Sequence, residues 1–70
     1  MIEGYATSIE IVYKDGSKKF FYIGKVGGEF YICDKVLSFA IDGDSTDFNL
    51  ENVEFVRCFL YSFQVLKVTI

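Results

Sequence analysis

The chain has 70 residues, 51% of them hydrophobic, with eight Phe and five Tyr but no Pro, Trp or His, and a net charge of −3. Without an imidazole, every Ser-His and Cys-His nucleophile pair is excluded, because the base that would deprotonate the hydroxyl or thiol is missing. The acidic balance, with a pI near 4.7, opposes polyanion binding.

Residues Tyr5 to Tyr13 alternate, with Tyr5, Thr7, Ile9, Ile11 and Tyr13 on one face, and read as a strand with that face buried. Asp15-Gly16 follows, a pair that tolerates the positive φ angles of a two-residue hairpin loop. That loop would set Ile11 opposite Phe20, Ile9 opposite Tyr22 and Tyr5 opposite Val26, so Phe20 and Tyr22 are expected on the core face. Lys19 and Phe21 are then expected on the other face.

Val26-Gly27-Gly28-Glu29 marks a second reversal, and Glu29 to Cys33 reads as a strand apolar on both sides. Asp34-Lys35 is a short turn or a bulge. Val36 to Ile41 is the next strand, with Leu37, Phe39 and Ile41 on one face. Asp42 to Asp47 reads as a loop by composition, followed by alternation through Phe48 to Glu51, a turn near Asn52 and a strand from Val53.

Val53 to Ile70 contains no Gly, Pro, Asp or Asn. Ordinary strands are shorter than this, so two strands with a bend, or one with a bulge near Tyr61 to Gln64, are expected. A short helix within residues 55–66 is the competing expectation, since Arg57, Tyr61, Gln64 and Lys67 recur at helical spacing.

The sum is a single all-β domain over residues 1–70, an antiparallel meander of about six or seven strands curled into a small barrel or strongly bent sheet. The stretch Phe48 to Val56, a strand, a short turn and another strand, resembles the closing hairpin of Sm-like and SH3-like barrels. The resemblance implies a barrel outline and carries no binding residues with it.

Cys33 and Cys58 lie in apolar runs with no CxxC spacing, so two buried free thiols are expected and no metal site. Asp42, Asp44 and Asp47 suggest calcium, yet an EF-hand-like loop begun at Asp42 would need a Glu where Val53 stands. Gly24, Gly27 and Gly28 are turn formers and not a phosphate loop, since no helix follows them. No cofactor and no enzymatic activity are expected.

The opening Met1-Ile2-Glu3-Gly4 has neither a basic nor an apolar leader region, and Glu54, Arg57, Gln64 and Lys67 interrupt the most hydrophobic stretch. A cytoplasmic protein without a membrane span is the expectation. A mean hydropathy of +0.29 is more apolar than so small a body can hide. Self-association is therefore expected, most simply as a dimer through Phe55 to Ile70.

Charge is segregated along the chain: Asp42, Asp44, Asp47, Glu51 and Glu54 fall in a segment without a base, whereas Lys14 to Lys35 is lysine-rich. The leading expectation is a non-catalytic, self-associating interaction or inhibitory module that binds a basic macromolecule through those five acids. Such a small protein would suit a phage or other mobile element. The first alternative is a small barrel that binds single-stranded nucleic acid through Lys19, Phe21 and Lys25. The second is a small-ligand binder at a subunit interface.

Overall fold

The computed structural model describes all 70 residues and contains eight antiparallel strands and no helix. In chain order they are β1 (Ile2–Ala6), β2 (Ser8–Tyr13), β3 (Lys18–Tyr22), β4 (Gly28–Cys33), β5 (Val36–Ile41), β6 (Asp44–Asn49), β7 (Val53–Leu60) and β8 (Phe63–Thr69). Sheet I runs β1-β4-β5-β6 and sheet II runs β3-β2-β7-β8. The two pack face to face around one core and do not close into a barrel. The all-β expectation holds, while the barrel, the strand count and the helix within 55–66 are corrected.

Alternation explains the core. Phe30 and Ile32 of β4 and Leu37 and Phe39 of β5 face inward from sheet I. Ile9 and Ile11 of β2, Val56 and Cys58 of β7 and Val68 of β8 meet them from sheet II. Leu50 and Val53 close one end, at the crossover from β6 to β7. Phe48 and Val56 therefore lie in different sheets, so the stretch between them is a crossover and not a closing hairpin.

The strand expected over Tyr5 to Tyr13 is two strands in different sheets, broken at Thr7. Ala6, Thr7, Ser8 and Ile9 are all buried at this corner, a run that period-2 alternation within one sheet would not produce. Because the chain changes sheets here, Tyr5 points out from sheet I and is half exposed. It meets Val26 only by donating its hydroxyl to the Val26 carbonyl, at 2.9 Å.

The first hairpin has a three-residue loop, Lys14-Asp15-Gly16. Tyr13 N donates to the Ser17 carbonyl at 2.8 Å and Gly16 N to the Tyr13 carbonyl at 2.9 Å. Gly16 does take a positive φ, 89°, but the extra loop residue slips the register by one, placing Ile11 opposite Lys19 and Ile9 opposite Phe21. A slip of one turns every side chain over. Phe21 therefore packs inward, while Phe20 and Tyr22 stand outside at 60% exposure each. The Asp15 carboxylate holds the loop by accepting from Ser17 Oγ at 2.6 Å and Ser17 N at 2.9 Å. Those two bonds, the side-chain one first, keep its pKa below the usual carboxylate value. Gly16→Val is expected to destabilise the fold by at least about 1 kcal/mol, because a β-branched residue is strained at this φ. A denaturant midpoint equal to wild type would contradict it.

Asp34 and Lys35, and likewise Asp42 and Gly43, have positive φ and make two-residue type I′ loops. The second of these corrects the expected Asp42 to Asp47 loop, because the chain turns at Asp42-Gly43 and continues as β6. Val53 to Ile70 forms two strands, as expected, joined at Tyr61-Ser62, with a register shift beyond Cys58 that leaves Val65 unpaired. No helix is long and apolar enough to cross a membrane.

Candidate functional site

Four-stranded sheets packed by their inner faces leave two outer faces, and the sequence makes these chemically opposite. On sheet I the register aligns Glu3, Tyr31, Ser38 and Asp47 across all four strands, with Tyr5 opposite Glu29 in the adjacent row. No Lys or Arg projects from this face, since the outward positions of β1, β4, β5 and β6 are acidic, aromatic, small or neutral. Tyr31 OH donates to Glu29 Oε2 at 2.6 Å, and Ser38 Oγ donates to Asp47 Oδ1 at 2.8 Å. The hydrogen bond to Glu29, then that residue's charge, slight burial and the charge of Glu3 raise the Tyr31 phenol pKa above its ordinary value. Two shallow depressions flank Tyr31, one walled by Glu3, Tyr5 and Glu29 and the other by Glu29, Ser38 and Asp47.

Sheet II presents the opposite chemistry. Its outward rows read Tyr22, Ser8, Phe59 and Gln64; Phe20, Glu10, Arg57 and Lys67; and Lys18, Val12, Phe55 and Thr69. The one acid in these three rows, Glu10, is taken by Arg57, whose Nε donates to Glu10 Oε1 at 2.8 Å in an ion pair, and a second acid, the exposed Glu54, lies at the β7 bulge next to Phe55. Lys67 Nζ stands 4.3 Å above the Phe55 ring and the Arg57 guanidinium 5.4 Å from it. Aromatic cover explains why Val12 and Ser8, though outward, are buried. The face is thus a layer of rings with a cationic surplus.

The five acids expected to act together are dispersed. Asp47 joins Glu3 and Glu29 on the outer face of sheet I, whereas Asp44, an odd number of residues away on β6, points to the opposite side. Asp42 lies in the β5–β6 turn. Glu51 lies in the β6–β7 crossover, beside a depression lined by Lys14 and Asp15. Glu54 is on β7 and accepts Ile70 N through its carbonyl at 3.0 Å. Glu3 and Glu29 escaped sequence reasoning because they are isolated in the chain and converge only through the β1–β4 pairing.

The nucleic-acid candidates also separate. Phe21 packs against Phe39 and Phe48 at centroid distances of 5.0 and 5.5 Å. Lys19 lies over Phe21 and Phe48 at the sandwich flank, and Lys25 sits in the β3–β4 crossover. On β3 the rings free to stack are those of Phe20 and Tyr22.

Cys58 is buried, as expected, and burial pushes its thiol pKa up to about 12. Cys33 is exposed, because it takes an outward position of β4 at the turn. No group of three metal-ligating side chains comes together.

Fold and surface thus define a class, a two-sheet β sandwich with oppositely charged outer faces. Comparison with family models, curated proteins and solved structures finds no match to this chain.

Proposed function

We propose that the chain is a non-catalytic interaction module that takes a cationic macromolecule, an Arg/Lys-rich protein segment, on the outer face of sheet I. One observation carries this reading: Glu3, Glu29 and Asp47 share a face with Tyr5 and Tyr31 and with no base. Carboxylates give an arginine its fork partners, and tyrosine rings offer a guanidinium a face to lie on. Glu29→Lys with Asp47→Lys is expected to weaken binding of a labelled Arg-rich peptide by about tenfold or more. Asp44→Lys, on the other side of β6, should leave it nearly unchanged. Wild-type binding should fall as salt rises, because exposed charges are screened beyond about 8 Å at physiological ionic strength. Equal affinity in wild type and the double variant would remove sheet I as the binding face.

A second reading, single-stranded nucleic acid on sheet II, is favoured by the exposed rings of Phe20 and Tyr22 on β3, with Lys18 on the same strand and Arg57 and Lys67 farther across the same face.

A further inference from the structure

The outer faces of sheet I and sheet II are complementary to each other, and one chain cannot bring its own two together because they lie on opposite sides of the sandwich. We infer that the occupant of sheet II is the sheet I face of a second copy of this chain, so that molecules stack head to tail. The inference rests on the reading of sheet I as a face for cationic partners and names this protein's own Lys18, Arg57 and Lys67 as such a partner.

Symmetry is decided by charge. A two-fold dimer through sheet I sets Glu3, Glu29 and Asp47 against their own copies, and one through sheet II does the same with the cations. Only sheet I on sheet II joins unlike charge. It also covers Phe20 and Tyr22, each 60% exposed in the single chain, and gives the phenol of Tyr31 and the carboxylate of Glu29 cations to face. The contact is heterologous, so each added copy still offers one free face. Such a contact builds a ring where the rotation closes and an open filament where it does not.

The test is sedimentation velocity on the full chain, using Glu29→Lys/Asp47→Lys to disable sheet I and Phe20→Ser/Tyr22→Ser to disable sheet II. Wild type should grow beyond a dimer as concentration rises at low salt and return toward monomer at high salt. Each double variant alone should be monomeric. Their equimolar mixture should form a one-to-one complex and stop there, because the intact faces meet and the two altered faces, both left cationic, do not. Lys18→Glu/Lys67→Glu alters exposed side chains only, and a monomeric mass for it supplies the sheet II result if the Ser variant does not fold.

Wild type that stays monomeric at low salt and tens of micromolar overturns the inference. So does a dimer retained by either double variant, since that is a symmetric contact. If wild type is monomeric while Phe20→Ser/Tyr22→Ser still binds the Arg-rich peptide, the sheet I reading stands and the self-docking falls. A monomeric wild type that binds a labelled single strand, lost in Phe20→Ser/Tyr22→Ser, would assign sheet II to nucleic acid instead.

Discussion

Phe30→Ala should remove about a third or more of the stability of the fold. Phe30 is 1% exposed and sits on β4, an interior strand of sheet I, with Phe39 opposite it on β5. Its other neighbour is Gly4 of β1, and that choice of residue is explained by the ring. A Cβ at Gly4 would stand 2.7 and 2.9 Å from Phe30 ring carbons, inside van der Waals contact. The absent side chain is thus the seat of the ring, and truncation empties a space that rigid β-sheet backbone cannot collapse to fill. Losses of about 3–5 kcal/mol accompany such truncations. A 70-residue domain has roughly 4–10 kcal/mol in total. Urea denaturation followed by circular dichroism reads the effect. The converse change, Gly4→Ala, should cost about 1–3 kcal/mol by overpacking, and combining it with Phe30→Leu should recover part of that loss. A Phe30→Ala midpoint within error of wild type would show that this ring is not the centre of the core.

Strand existence was readable wherever composition and alternation agreed. Leu37, Phe39 and Ile41 share a face, and Val53 to Ile70 divides near Tyr61, because those patterns are local. Register was not readable in the same way. Asp-Gly serves two-residue and three-residue loops alike, since both need a positive φ at the glycine. Both registers offered an aromatic to Ile9 and only one to Ile11, so the apolar pattern did not separate them sharply. Asp42-Gly43 carried the same signal and was masked by the acids after it, which suggested a solvated loop where an edge strand runs.

The proposed binding face was less legible than the fold, for a geometric reason. Linear clustering placed Asp42, Asp44, Asp47, Glu51 and Glu54 together, yet a tight turn, strand alternation and a crossover send them in different directions. Glu3 and Glu29 are 26 positions apart in the chain and share a face because β1 pairs with β4. That pairing depends on the sheet change at Thr7, which no local pattern announces. Segregation of charge along the chain did not carry over to the faces: of the five acids only Asp47 stands on the outer face of sheet I, and of the sheet II cations only Lys18 comes from the lysine-rich segment.

Thr7 is where the two sheets are joined, and Thr7→Val should cost about 1–3 kcal/mol even though the side chains have nearly the same shape. The backbone of this residue donates to the Phe59 carbonyl at 2.8 Å and accepts from Ile23 N at 2.8 Å and Gly24 N at 3.3 Å. Valine keeps all of these. The hydroxyl adds two more bonds, donating to the Phe59 carbonyl at 3.2 Å and accepting from Tyr61 N at 2.8 Å. Tyr61 is a non-glycine residue at φ 57° in the β7–β8 turn, a conformation that costs energy by itself and is held by what surrounds it. Without the hydroxyl, the Tyr61 N–H has lost its partner in a half-buried corner, so the turn and the end of β8 should loosen before the rest of sheet II. Amide hydrogen exchange should therefore accelerate at Tyr61 and Phe63 beyond what the fall in global stability explains, whereas Ile11 and Val56 should follow the global change alone. Thr7→Ser, which keeps the oxygen, should lose less than half as much stability as Thr7→Val. Equal losses in the two variants would mean that the methyl group of Thr7, and not its hydroxyl, secures the corner.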